Sequence, residues 1–202
     1  MAGTALNWNT INIPRGKRVE LWAKVAVPGA GARITLATDG TPDATANPTA
    51  LPLGRTVDGA EIQYATTLQN RVSDEFDAPF DSSIEMVEGI IACNIMNTLD
   101  TDIMNLIMVG TTKAVGTGYE ELSFGGLQSV VKVSVVAIFE MPEDSTKRGV
   151  FQLYSALNNQ KLAWRIRHSG NAIGSTPVAF QGYSVSSRAT GDQVGKYWKQ
   201  VA

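Results

Sequence analysis

Few residues in this chain have the side chains that chemistry needs. His168 is the single histidine and Cys93 the single cysteine. A triad hydrolase requires an imidazole beside its nucleophile. His168 stands between Arg167 and Ser169-Gly170, at the expected end of a strand, which is the setting of a turn or surface residue. Cys93 lies in the apolar run Gly89–Ile95 and reads as a small core side chain. Together they fall short of the converging ligands that zinc or copper takes. Asp39-Gly40-Thr41-Pro42-Asp43 is a poor version of a calcium loop, lacking its alternating acids, and reads as a turn. Gly16-Lys17 follows no strand and makes no phosphate-binding loop. Three carboxylate pairs, Asp74-Glu75, Glu120-Glu121 and Glu143-Asp144, have the residue types of a glycosidase. They read as solvated loops, and Trp8, Trp22, Trp164 and Trp198 are scattered rather than gathered beside them. The sequence therefore predicts no catalytic residue, no metal and no cofactor.

Charge is more informative. The chain has 202 residues, with 17 Lys+Arg against 19 Asp+Glu and a net charge of −2. That balance argues against a protein that coats nucleic acid, since such domains are strongly basic. Asp74, Glu75, Asp77, Asp81, Glu85 and Glu88 follow one another with no base between them. Residues 146–202 carry Lys147, Arg148, Lys161, Arg165, Arg167, Arg188, Lys196 and Lys199 against the single acid Asp192. The near-neutral total thus conceals two opposed stretches, and complementary patches on one protein can meet between copies. Charged residues make up 18% of the chain, below the ~25% usual for globular domains, so part of the surface is expected to be covered. Disorder, a collagen-like chain and a disulfide scaffold are excluded by composition. Met1–Trp8 has neither the basic nor the apolar region of a signal peptide, and no window reaches ~20 apolar residues. The expectation is a soluble protein with no membrane contact, made in the cytosol.

The elements that would position these residues are mostly strands. Val19, Leu21, Ala23 and Val25 alternate on one face of a strand over Arg18–Val27, Pro28–Gly31 turns the chain, and Arg33–Thr38 is a second short strand. Asp39–Leu51 is rich in proline and turn formers and is expected to be a long exposed loop. Leu53–Asn70 reads as a turn at Asp58-Gly59 and then a strand, Arg71–Glu75 as a short strand and Ile84–Ile95 as a longer one. Leu99, Ile103, Leu106 and Ile107 share a helical face, with Thr98 to cap the helix and Gly110 to stop it. Thr111–Leu127 reads as glycine-rich loop with one strand at Tyr119–Phe124. Strands follow at Ser129–Met141, Lys161–His168, Pro177–Ser186 and Gly195–Val201, and a helical stripe at Val150, Leu153, Tyr154 and Leu157 predicts a second short helix over Val150–Asn158. The sum is a mainly β fold: an antiparallel β-sandwich or barrel with one or two flanking helices and one long extended loop. Residues 1–202 read as one domain, with 195–202 as its C-terminal segment.

The segment Leu53-Gly54-Arg55-Thr56 to Asp58-Gly59-Ala60-Glu61-Ile62-Gln63-Tyr64 resembles the strand opening of the tail tube (major tail) proteins of long-tailed bacteriophages. The acidic loop Asp74–Asp81, the strand Ile84–Ile95, the helix at Thr98–Leu106, a long strand, the short Phe-x-Leu-Tyr helix at Phe151–Tyr154 and strands ending near Phe180–Gly182 follow in that family's order. The resemblance spans most of Leu51–Tyr183. It implies a virion structural protein whose copies join as hexameric rings. The rings stack into a tube that conducts DNA, meeting tape measure, tail terminator and distal tail proteins. It also implies an acidic lumen, along which phosphates slide without sequence-specific binding; Lys and Arg there would hold them. On that reading Asp74, Glu75, Asp77, Asp81, Glu85 and Glu88 face the lumen. Asp39, Asp43 and Asn47, with Lys161, Arg165 and Arg167, reach neighbouring copies. Other readings are a tail terminator, a capsid decoration protein, a secretion-system tube protein, or a small lectin-like β-barrel module.

Overall fold

The computed structural model describes residues 4–12, 19–71, 81–96, 100–125, 130–161 and 175–200. The described chain is mainly β, with antiparallel pairing throughout. The strands are β1 (Thr4–Asn12), β2 (Val19–Ala23), β3 (Leu51–Arg71), β4 (Asp81–Ile95), β5 (Thr111–Gly116), β6 (Tyr119–Phe124), β7 (Val133–Glu140), β8 (Arg148–Asn158), β9 (Thr176–Gly182) and β10 (Gly195–Lys199). One helix, α1 (Thr101–Ile107), follows β4. The main sheet runs β1-β3-β2-β7-β8-β9-β4, β4 turns back to pair with β3, and β10 is added to β8. β5 and β6 form a separate hairpin.

Alternation along the strands builds the core. Val19, Leu21 and Ala23 of β2, Val135, Ala137 and Phe139 of β7, and Phe151 and Leu153 of β8 meet in one apolar cluster. Ile62, Ile91 and Phe180 join from β3, β4 and β9, and Ile103 and Ile107 of α1 cover one end. A fully buried side chain of this size contributes ~1.5–3 kcal/mol. Residues of the opposite parity, Val136, Ile138 and Val150, form a second cluster with Val25 and Ile34 from the segment after β2. β7 and β8 are thus buried on both faces, giving a sandwich-like arrangement in which segment 24–50 is the outer layer. Lys24 makes the switch, because its left-handed backbone (φ 55°) sends Val25 to the outer cluster and not to the face of Leu21.

Several sequence expectations are corrected. Val150–Asn158 is strand and not helix: with both faces covered, its apolar residues need no alternation, so Val150, Leu153, Tyr154 and Leu157 fitted a helical stripe by chance. Arg33–Thr38 makes only an isolated bridge, Leu36 to Pro42. Asp58-Gly59 does not turn the chain; β3 continues through it, and the register against β4 shifts between Thr56 and Ala60 with Gly59 at φ 86°. The helix is capped by Asp100, whose carboxylate accepts from Asp102 N–H at 2.8 Å and from Ile103 N–H at 3.4 Å. Thr98 and Leu99 lie outside the described residues. Thr111–Gly116 is a strand, not loop. The strand expected at Ser129–Met141 begins at Val133, that at Pro177–Ser186 covers Thr176–Gly182, and the last is Gly195–Lys199. Most of Arg71–Glu75 and of Lys161–His168 falls outside the described residues.

The segment Asp39–Leu51 is irregular as expected but is not exposed along its length. Asn47 is buried, with its Oδ1 accepting from Ala26 N–H at 3.1 Å and its Nδ2 donating to the Asp43 carbonyl at 3.0 Å. The Thr49 hydroxyl donates to the Lys24 carbonyl at 3.0 Å. A loop lying on a sheet must satisfy its own backbone, and these side chains do so.

Candidate assembly surfaces

Two features of the fold stand out as surfaces for binding. The first is an apolar groove of about 460 Å³. It exists because β9 and β10 share one edge of β8 at different heights. β9 bridges β8 to β4 over Ile90–Ile95, whereas β10 pairs with Gly149–Leu153 of β8 and not with β4. Below Ile90 the sheet therefore gapes between β4 and β10. Ile62, Phe151 and Leu153 lie at the floor, Val87 and Val194 at the walls. Tyr64, Ile84 and Tyr197 rim it and are 41%, 62% and 45% exposed. At its head, Gly89, Gly182 and Gly195 crowd around Leu153; a Cβ on Gly195 would sit 2.4 Å from the Gln152 carbonyl oxygen. Tyr197 stacks on Phe139, centroids 6.4 Å apart.

The second is the β5–β6 hairpin, which meets the rest of the fold chiefly through α1. It turns tightly through Thr117-Gly118, with Gly118 at φ 83°. An ionic knot in its middle and near its turn ties it along α1: Lys113 Nζ lies 2.9 Å from Asp102 and 3.1 Å from Glu120, and the Thr101 hydroxyl donates to Glu120. The hydrogen bond to Asp102 raises the Lys113 pKa, and that from Thr101 lowers the Glu120 pKa. Val115 and Tyr119 near the turn and Phe124 at the open end are 71%, 62% and 77% exposed. Large apolar side chains this exposed on a two-stranded ribbon mark an interaction surface.

The sequence did not single out this hairpin. Its signal was the Thr117-Gly118 dipeptide flanked by two runs of β-formers, hidden among the glycines at 110, 116, 118, 125 and 126.

The residues proposed from sequence are distributed as follows. Asp74, Glu75 and Asp77 lie outside the described residues. Asp81 and Glu85 are placed on β4, and Glu88 is half-buried opposite Ala65 of β3. Asp39 and Asp43 cap local turns: Asp39 accepts from the Thr41 N–H and hydroxyl, Asp43 from the N–H groups of Thr45 and Ala46. Asn47 is used inside its own subunit, as above. Lys161 is exposed, and Arg165 and Arg167 lie outside the described residues.

Among the described residues, bases of the C-terminal stretch are spent on separate local partners. Lys147 pairs with Asp144 at 3.6 Å and Arg148 with Glu140 at 4.0 Å, while Lys196 donates to the Ala32 carbonyl. Arg188 is held by Asp192 (2.7 Å), by the Pro28 carbonyl (2.8 Å) and over the Tyr154 ring (3.9 Å).

Among the described residues no group of His, Cys, Asp and Glu is placed to hold a metal ion, and no helix is long and apolar enough to cross a membrane. Burial pushes the Cys93 pKa up to about 12, which keeps the thiol protonated and unreactive at neutral pH. No protein-family model matches the chain, and no curated protein matches it at a significant level.

Proposed function

We propose that this chain is a virion structural protein: a tail tube subunit that polymerises as stacked hexameric rings into the conduit for phage DNA. The observation that carries this reading is the pair of apolar surfaces the subunit leaves uncovered, the β4–β10 groove and the β5–β6 hairpin. A chain poor in charge with two such surfaces suits burial against copies of itself. The ordered resemblance over Leu51–Tyr183 supplies the class of assembly. The β3–β4 hairpin, with Asp81, Glu85 and Glu88 on β4 and Asp74, Glu75 and Asp77 in the stretch joining its strands, is our candidate for the acidic lumen wall. Tape measure, tail terminator and distal tail proteins are the partners this reading expects, and the virion tail is its location.

Negative-stain microscopy of the purified protein tests the reading. Long hollow tubes are expected. Isolated rings that never stack would favour a tail terminator.

One observation favours a second reading. A groove of about 460 Å³ lies within the ~300–1,000 Å³ range of small-molecule sites, so the chain could instead be a binding module for an apolar ligand. Native mass spectrometry that finds a bound small molecule on a monomer would favour that reading.

A further inference from the structure

We infer that the β5–β6 hairpin of one subunit docks in the β4–β10 groove of a second copy, adding β6 to the free edge of β10. This deepens the polymer reading proposed above, on which it rests, by naming the two surfaces that join successive copies.

Three observations carry it. First, both walls of the groove have backbone to offer. Among the described residues, Asp81–Gly89 of β4 pairs only with β3, and β10 pairs only with β8. Unpaired strand edges over an apolar floor accept an added strand, whose backbone supplies affinity while alternate side chains enter the pockets. Second, the hairpin is the complementary object. β6 has an edge not used by β5, and Val115 and Phe124 lie on one face of the ribbon. The charges match: β6 carries Glu121 outside the Lys113–Glu120 knot, and β10 carries Lys196 and Lys199. Third, the two surfaces sit at opposite ends of the subunit. The hairpin springs from α1, which follows β4 past Ile95 and is tied to the end of β8 by Asn158 Nδ2 donating to the Ile107 carbonyl. The groove wall on β4 is Ile84–Gly89, which at ~3.3 Å per residue is roughly 20–35 Å back along that strand. A six-residue ribbon held along α1 by Thr111 on Asn105, Lys113 on Asp102 and Thr101 on Glu120 therefore meets the groove of another copy and not its own. Such a contact is heterologous, so it repeats from copy to copy instead of closing a dimer.

Complementation tests the docking. Val115→Asp/Phe124→Asp spoils the hairpin and leaves the groove; Ile84→Asp spoils the groove and leaves the hairpin. All three positions are exposed, so both variants should keep the wild-type circular dichroism spectrum and melting temperature. Each variant alone should sediment as a smaller species than wild type. Mixed in equal amounts they should form a 1:1 complex, because one intact hairpin and one intact groove remain. If both variants are folded, wild type polymerises and the mixture gives no complex, the docking is wrong while the polymer reading stands. If wild type is monomeric at every concentration, the polymer reading itself fails. Should either variant misfold, Phe124→Ser and Ile84→Ser replace them with the same expected outcomes. An apolar small molecule found in the groove of native monomer would overturn the docking in favour of a ligand site.

Discussion

The Tyr154 hydroxyl donates a 2.6 Å hydrogen bond to the carboxylate of Asp192. This contact locks segment 183–194 onto β8, because Asp192 also receives Arg188, which in turn covers the Tyr154 ring and reaches the Pro28 carbonyl. Burial, and then the bond to Asp192, raise the Tyr154 pKa to about 12, while the hydrogen bonds from Tyr154 and Arg188 hold Asp192 below 3.8. The segment so held leads directly into β10, and thus positions one wall of the groove.

The clamp has a predictable acid response. The Asp192 carboxyl is lowered on folding, so its contribution is complete above the unfolded value of 3.8 and is lost as pH falls through the lower folded value. Asp192→Asn should therefore lower the denaturation midpoint at pH 7 and bring the variant and wild type together in strong acid. Urea denaturation at a series of pH values checks this; a wild-type advantage that grows as pH falls would be the wrong sign.

The helix start offers a local test. Asp100 satisfies two N–H groups at the first turn of α1. Asp100→Ala should cost about 0.5–2 kcal/mol by chemical denaturation. The same change at Glu121, on the exposed hairpin, should shift stability by less than ~0.5 kcal/mol.

The head of the groove tolerates no added atoms. A Cβ on Gly195 would press on the Gln152 backbone, so Gly195→Ala should push β10 off β8 and destabilise by ~1–3 kcal/mol. Gly29→Ala, where nothing lies within 4 Å of the new atom, is the control.

Deep in the core, Ile107 is 1% exposed and anchors α1 against the sheet. Ile107→Ala should cost ~2–5 kcal/mol. Because α1 bears the hairpin, the loss should also weaken assembly in subunits that remain folded, measured as a higher concentration threshold for sedimenting polymer.

Charge reversal probes the lumen wall. Asp74→Lys, Glu75→Lys and Asp77→Lys together should leave subunit folding and tube formation intact and slow DNA release from virions. Normal infection by virions carrying all three would remove these acids from the lumen.

How far the sequence led depends on which residues fill each strand. β7, although buried on both faces, was legible because its run is β-branched and broken at Ser134 and Glu140. β8 was not, because the outer layer of segment 24–50 buries its second face and erases the period-two alternation. The same layer explains Asn47: a polar residue in a turn-rich segment looks exposed until the sheet beneath it is known. The low share of charged residues raised the expectation of a covered surface, and the exposed groove and hairpin came only from the pairing of strands. The groove depends on β9 and β10 sharing one edge of β8, a relationship between segments that no local pattern encodes.

Sedimentation velocity over a hundredfold range of concentration decides whether copies of this chain join end to end. Mass should rise with concentration into polymers many times the 21.6 kDa subunit. A single species of subunit mass across the whole range would contradict it.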